Sequence, residues 1–151
     1  MIAGEAGVRG ITRIVLASLS AAACAAAAAQ NGGAAYRAPL AIVAGEGGAV
    51  LYVAEHGGSA VAAVDRASGK VLRRTALGEP PAALALAPDG TRLYVAAGGF
   101  EGHVHVVDAA AGAVQSVLAA GHTPSALAVS PDGKILYVCN RFTNDVQCLD
   151  L

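Results

Sequence analysis

The segment Pro88-Asp89-Gly90-Thr91-Arg92-Leu93-Tyr94-Val95 recurs 43 residues later as Pro131-Asp132-Gly133-Lys134-Ile135-Leu136-Tyr137-Val138. An earlier triplet, Leu51-Tyr52-Val53, lies 42 residues before the Leu-Tyr-Val of the first copy. A second landmark follows each triplet with intervals of 43 and 42 residues: Asp65, Asp108 and Asp150. Because two independent landmarks share one period, the chain contains three repeat units of 42–43 residues.

Each unit has the pattern of short strands joined by turns. Leu84 and Leu86 alternate with alanines, which is typical of a strand with one large-residue face. A Pro-Asp-Gly turn, the Leu-Tyr-Val strand, a loop, a strand ending in aspartate and a last strand follow. A period near 42 with four strands is typical of a propeller blade. The sequence therefore predicts an all-β fold with almost no helix, an incomplete β-propeller of about three four-stranded antiparallel blades.

The repeat landmarks set the predicted domain boundaries. A linker at 30–37 precedes blade repeats at 38–79, 80–122 and 123–151. The third repeat stops at Leu151, before the last strand that the other repeats contain. Since propellers have roughly four to eight blades, we expect the missing C-terminal blades of a longer protein to be needed to close the ring.

The first 29 residues have the pattern of a signal peptide. Arg9 and Arg13 precede an uncharged apolar stretch at 14–29, which ends in small alanines. Two alternatives remain open: a membrane anchor, although the stretch is short and rich in alanine, and a lipoprotein site at Cys24, which lacks the usual large aliphatic residue three places earlier. All three predict export, and cleavage predicts a periplasmic or secreted protein without a membrane span.

The charge pattern argues against a nucleic-acid partner. Ten Lys and Arg residues against eleven Asp and Glu residues give a formal net charge of −1. The basic residues are spread along the chain without a cluster interleaved with aromatic residues, which a nucleic-acid-binding surface requires.

The third repeat resembles the YVTN family of β-propeller repeats. Tyr137-Val138-Cys139-Asn140 stands where the family has Tyr-Val-Thr-Asn, and Asn144-Asp145-Val146 continues the pattern. In the first repeat, Glu46-Gly47-Gly48 replaces the Pro-Asp-Gly turn. The resemblance covers residues 38–151 and implies a propeller. Similar propellers include surface-layer and secreted proteins, lactone hydrolases, and propeller parts of periplasmic quinone- or haem-linked oxidoreductases.

Four residues are candidates for ligand contacts at the propeller rim. His56 and Arg141 occupy matching places four residues after the repeat tyrosine, and His122 lies in the connection between two blades. Asn140 precedes Arg141 at the end of its strand. Loops of this kind line propeller rims, where pockets form. We expect an unknown small molecule or protein to bind there.

His103 and His105 flank Val104 on one predicted strand, so that both side chains point to one face. Two histidines on one face could share a metal ion. A third ligand is not evident, and the matching residues of the first repeat are Ala60 and Ala62. The sequence therefore predicts a solvated strand face and no metal site.

Cys139 and Cys148 are the cysteines that remain after signal cleavage. They lie on neighbouring predicted strands, where an oxidising compartment permits a cross-strand disulfide if the register places them opposite each other. The alternative is a pair of buried free thiols. Neither cysteine begins a Cys-x-x-Cys-His haem-attachment motif, so the sequence predicts no covalent haem and no other cofactor.

The regular repeats without a catalytic constellation favour an exported, non-catalytic binding or interaction scaffold. The alternative is the propeller part of a periplasmic haem- or quinone-linked oxidoreductase, and a lactonase-like hydrolase is a third class. Since a fold does not choose among functions, whether the protein is an enzyme stays open at this point.

Deletion of residues 1–29 is expected to leave the protein in the cytoplasm, because the export signal is then gone. Cell fractionation and immunoblotting of the deleted and intact chains measure this. Export of the deleted chain would contradict the signal-peptide prediction.

Overall fold

The computed structural model describes residues 36–151, so the predicted signal peptide and most of the linker lie outside the described residues. Within this range the all-β prediction is confirmed. Helical structure there is confined to two three-residue 3-10 turns, Glu46–Gly48 and His56–Gly58, and no helix of this part of the chain could cross a membrane.

Eleven strands form three antiparallel sheets, each with its strands in chain order. The first sheet contains β1 Pro39–Ala44, β2 Val50–Glu55, β3 Ala60–Asp65 and β4 Val71–Ala76. The second contains β5 Pro81–Leu86, β6 Arg92–Gly98, β7 Gly102–Asp108 and β8 Val114–Ala120. The third contains β9 Pro124–Val129, β10 Ile135–Asn140 and β11 Asp145–Asp150. The first strand of the second sheet, β5, contacts both β1 and β9, so the sheets are stacked in sequence order as blades 1, 2 and 3.

The unusual turn of the first repeat keeps the backbone hydrogen bond of the other turns. Gly48 donates its backbone N–H to Gly45 at 2.9 Å, and Gly90 donates to Ala87 at the same distance. Gly48 has φ 68° and Gly90 has φ 71°. This backbone conformation is open to glycine but costly for other residues. The Glu46–Gly48 turn therefore preserves the register because it keeps this hydrogen bond, although its second glycine, Gly47, also has a positive φ of 66° where the other turns have aspartate.

The Leu-Tyr-Val strand of blade 2 is buried on both faces. In β6, Leu93 and Val95 pack with Tyr52 of blade 1, whereas Tyr94 packs on the opposite face with Leu136 and Val138 of blade 3. Side chains alternate between the two faces of a strand. The Leu93-Tyr94-Val95 triplet therefore contributes side chains to two different blade interfaces. The hydrophobic core lies between the sheets.

Polar contacts supplement this packing between blades 1 and 2. The Tyr52 hydroxyl donates a hydrogen bond of 2.8 Å to the carbonyl oxygen of Ala109, in the turn after β7. Arg73 donates to the same oxygen, and Thr75 donates to the carbonyl of Gly112 at 2.7 Å. Side chains of blade 1 thus bind both ends of the β7–β8 turn of blade 2.

The repeat tyrosines differ in their surroundings. Tyr94 is buried, and its hydroxyl has no hydrogen-bond partner among residues 36–151. Burial raises the pKa of this phenol above its ordinary value. Tyr137 lies on the face of blade 3 that points away from blade 2, and 38% of it is exposed.

Replacement of Tyr52 by Phe is expected to lower the free energy of unfolding by about 1 kcal/mol, because it removes one buried hydrogen bond while Arg73 still satisfies the Ala109 carbonyl. Urea denaturation of the variant and the parent measures the change. Tyr137→Phe is the matched control, with an expected change near zero since its side chain is partly exposed. Equal losses in the two variants would contradict a contribution from the Tyr52 hydroxyl.

Candidate ligand site at the loop edge

One edge of the stacked sheets carries the β2–β3, β6–β7 and β10–β11 loops together with the connections between blades. We call it the loop edge. Its segments are joined by backbone hydrogen bonds from Gly98 to Pro80 at 3.2 Å, from Thr123 to Gly99 at 2.8 Å and from Arg141 to Thr123 at 3.0 Å. All four histidines of the sequence lie at or next to this edge.

A single repeat position gives each blade a different polar group at the loop edge. Arg37, Glu79 and His122 each stand two residues before the proline that begins the first strand of a blade. They differ in charge and in contacts, and the following paragraphs take them in order.

Arg37 takes part in a buried ion-pair group. The Glu55 side chain is fully buried at the end of β2, and its carboxylate lies 3.2 Å from Arg37 and 3.0 Å from Arg74. Two arginines compensate the cost of burying one carboxylate. This group is therefore satisfied internally, and we assign it a role in folding.

Glu79 forms a second group, the Glu79 cluster, with His103 and His105. Its carboxylate lies 3.1 Å from His103 Nδ1 and 2.6 Å from His105 Nε2. His105 is buried, and its Nδ1 has no hydrogen-bond partner among the described residues. The predicted solvated strand face is therefore wrong for His105, because a carboxylate from the preceding connection covers it.

The electrostatics of the Glu79 cluster favour an ionised carboxylate. Partial burial alone would raise the pKa of Glu79, but hydrogen bonds from His105 and His103 and the charge of these rings outweigh it. The pKa of Glu79 is therefore below its ordinary value of 4.5. Within residues 36–151 no group of three His, Cys, Asp or Glu side chains has an arrangement that could hold a metal ion.

His56 lies beside the Glu79 cluster, in the β2–β3 loop. Its Nδ1 is 3.0 Å from the carbonyl oxygen of Pro81. Since a carbonyl oxygen only accepts hydrogen bonds, Nδ1 is the donor in this contact. The structure thus brings His56 to the same blade junction as Glu79, whereas His122 and Arg141 lie at the next junction.

The third group, which we call the aromatic cluster, consists of Phe100, His122 and Phe142. The His122 ring meets Phe100 edge-to-face with centroids 4.9 Å apart, and Phe142 in the same way at 5.0 Å. Phe100 is 82% exposed and Phe142 is 61% exposed. The Arg141 guanidinium carbon lies 5.3 Å from the centroid of the Phe142 ring.

Sequence reasoning singled out His122 and Arg141 but missed the two phenylalanines. They are the only phenylalanines of the chain, and each lies in the loop between the second and third strands of its blade. An aromatic residue recurring in corresponding polar loops was the signal that could have identified them.

The aromatic cluster is held by the backbone that surrounds it. Thr123 donates to Gly99, and the carbonyls of His122 and Thr123 accept from Phe142 and Arg141 at 3.3 and 3.0 Å. Thr123 has φ 54°, a strained conformation for a β-branched residue. His122 Nδ1 also contacts the Thr123 hydroxyl at 2.8 Å. The three rings are therefore positioned by loops from two blades and the connection between them.

Asn140 does not face outward with the other predicted rim residues. It is buried, its side-chain oxygen accepts a hydrogen bond of 3.1 Å from Gly121, and its amide nitrogen donates to Asp145 at 2.7 Å. Both ends of the side chain are occupied within the protein. Asn140 therefore positions the β8–β9 connection that carries His122.

Cys139 and Cys148, for which the sequence left a cross-strand disulfide open, are both free cysteines. Cys139 lies opposite Val146, and Cys148 lies opposite Tyr137, so the two cysteines are offset by two residues along their strands. A diagonal pair of this kind is more widely separated than a directly opposite pair. The alternative of buried thiols is also wrong, because both free cysteines are exposed on the face of blade 3 that points away from blade 2.

Glu79→Gln is expected to make the protein less stable at neutral pH, with a difference that shrinks as the pH falls below 4.5. The folded state lowers the pKa of Glu79, so its ionised form stabilises the fold above the ordinary pKa. That contribution is lost as the pH falls through the lower, folded-state value. Thermal unfolding of both chains across this pH range measures the effect.

Glu101→Gln is the matched control, because Glu101 is an exposed carboxylate in the adjacent β6–β7 loop. A stability difference between Glu79→Gln and the parent that does not change with pH would contradict the role given to the Glu79 carboxylate.

Comparison with known proteins identifies the fold. No protein-family model and no curated protein sequence matches the chain. Among solved structures it is similar to hydrazine synthase of Kuenenia stuttgartiensis, with a TM-score of 0.68 and 27% identity, covering 80% of this chain and 34% of that one.

Two further structures share the architecture. The "putative 6-phosphogluconolactonase" of Bacteroides fragilis NCTC 9343 matches with a TM-score of 0.64 and 23% identity, covering 76% of this chain and 35% of that one. The β-propeller domain of Cps50 (Swd1) from Myceliophteria thermophila matches with a TM-score of 0.64 and 15% identity, covering 75% and 36%. The chain spans about a third of the length of each of these proteins. The three sheets are blades of a β-propeller.

Proposed function

We propose that this chain is an exported propeller module of the YVTN repeat type that acts as a non-catalytic binding scaffold, with its ligand at the loop edge between blades 2 and 3. The observation that carries the proposal is the exposed aromatic cluster of Phe100, His122 and Phe142, with Arg141 beside it.

The exposure of this cluster supports a binding role. Large apolar side chains that stay in water lose the free energy that their burial would provide. Groups of exposed apolar residues are typical of interaction sites. Aromatic residues and arginine are also the types that contribute most to binding interfaces.

The rigidity of the cluster supports the same role. Hydrogen bonds at 2.8 and 3.0 Å join the β6–β7 loop to Thr123 and Thr123 to the β10–β11 loop. A site that is already ordered pays less entropy when it binds. Export is supported by the sequence of residues 1–29, and the repeat type by the motif around Tyr137-Val138.

Thermal unfolding of the full chain in the presence of a panel of amino acids, sugars, nucleotides, aromatic acids and amines tests the scaffold role. We expect at least one class to raise the melting temperature, because a ligand that binds only the folded state stabilises it. The double variant Phe100→Ala, Phe142→Ala is expected to lose this shift.

Leu72→Ala is the control variant, since Leu72 is an exposed apolar residue on β4, at the far side of blade 1. It is expected to keep the ligand-induced shift. If no class stabilises the parent, or if the double variant keeps the full shift, the loop edge is not the binding site.

The second candidate function is the propeller part of a larger haem- or quinone-linked oxidoreductase. Its support is the 27% identity to hydrazine synthase over most of this chain. The absorption spectrum of the product of the complete reading frame discriminates between the two: a haem or quinone band favours the oxidoreductase, and a colourless protein favours the scaffold. A lactonase-like hydrolase is supported by fold alone, and a lactone hydrolysis assay on the same product tests it.

A further inference from the structure

We infer that the aromatic cluster binds a planar aromatic ligand that carries a carboxylate. The inference rests on the proposed function and names the chemical class of its ligand. It depends on three features of the blade 2–blade 3 junction: the shape of the aromatic cluster, the position of Arg141 and the charge of the matching junction one blade earlier.

The shape of the cluster favours a flat ring. Phe100 and Phe142 both stand nearly perpendicular to the His122 ring, with interplanar angles of 80° and 83°. Both phenyl rings are largely exposed, so their surfaces are accessible to a ligand. Aromatic surfaces of this kind bind either another ring, by stacking or edge contacts, or an organic cation.

Arg141 decides between these two ligand types. Its guanidinium already lies over the Phe142 ring, so a second cation there would meet like charge at short range. Arg141 has no carboxylate partner among residues 36–151. A guanidinium is a planar donor that binds a carboxylate through two parallel hydrogen bonds. An arginine without a carboxylate partner beside exposed phenyl rings therefore fits an aromatic carboxylate.

The orientation of His122 is fixed for such a ligand. The Thr123 hydroxyl donates to the Gly99 carbonyl at 3.3 Å, which leaves its oxygen to accept from His122 Nδ1 at 2.8 Å. The imidazole is thus held between the phenyl rings by a contact that involves its Nδ1 edge. The backbone that carries the three rings, and the His122 ring itself, therefore do not have to be arranged on binding.

The preceding blade junction has the opposite charge at the same place. Glu79 occupies the repeat position of His122, and Gly98 occupies that of Arg141. An anion would meet the ionised Glu79 carboxylate there, whose pKa is lowered by its histidine partners. The two junctions therefore differ in the charge of the ligand that they accept, although they occupy equivalent places in the repeat.

Three probes that share one ring system test the inference on the full chain: 2-naphthoate, the neutral 2-naphthamide, and the cation trimethyl(2-naphthyl)ammonium. Isothermal titration calorimetry measures their dissociation constants at low salt. We expect 2-naphthoate to bind about tenfold more tightly than 2-naphthamide, as one hydrogen-bonded charge pair at an exposed site provides. We expect the cation to bind more weakly than 2-naphthamide.

Two variants assign the selectivity to its residues. Arg141→Gln is expected to abolish the preference for 2-naphthoate while leaving 2-naphthamide binding intact, and Phe100→Ala is expected to weaken all three probes. Arg66→Gln is the matched control, because Arg66 is an exposed arginine in the β3–β4 turn at the opposite edge of the sheets, and it should keep the full preference.

Tighter binding of the cation, or a preference for 2-naphthoate that survives Arg141→Gln, would overturn the inference. Failure of all three probes would overturn it as well. If another class of compound from the ligand panel binds, and its binding requires Phe100 and Phe142, the proposed function stands and only the ligand class is wrong. If no ligand depends on these residues, the proposed binding function fails too.

Discussion

The alternation of side chains along the second strand of each blade is the constraint on which the rest of the structure depends. In β6, Leu93 and Val95 pack against blade 1 while Tyr94, between them, packs against blade 3. A slip of one residue in register would exchange the two faces and break both interfaces. The turns on either side are therefore required to hold the register, and the glycines at φ near 70° do this in all three blades.

Much of the fold could be predicted from the sequence because it depends on local patterns repeated at one period. The alternation of Leu84 and Leu86 with alanines predicted β5, and the spacing of the Leu-Tyr-Val triplets predicted the blade order. The identity of turn residues was less important than the glycine position, which is why Glu46-Gly47-Gly48 replaces a Pro-Asp-Gly turn without a change of backbone hydrogen bonding.

The sites were less predictable because they depend on contacts between segments distant in sequence. His105 was expected to face solvent, but Glu79, which lies 26 residues earlier, covers it. Cys139 and Cys148 were considered as a pair, but the register of β10 and β11 offsets them by two residues. Phe100 and Phe142 come together only through His122, whose place is set by the β8–β9 connection. Neither a local period nor spacing contains this information.

The contrast between interior and edge also explains how charge is distributed. Where a carboxylate is buried, as at Glu55, two arginines surround it, and the group has no capacity left for a ligand. Arg141 and the aromatic cluster lie at the exposed loop edge and remain accessible to a ligand. The structure thus separates charges that complete the fold from charges available to a partner.

The repeat position held by Arg37, Glu79 and His122 has a consequence for how proteins of this type diversify. Duplication of a blade copies the strands that maintain the interfaces, and it copies one rim position whose side chain differs from blade to blade. Substitutions there change the charge and shape presented at one junction, and a matching partner in the same blade or the next one, as at Glu55 for Arg37 and at His105 for Glu79, keeps the junction stable. A chain of similar blades can therefore evolve a series of unlike sites around one ring.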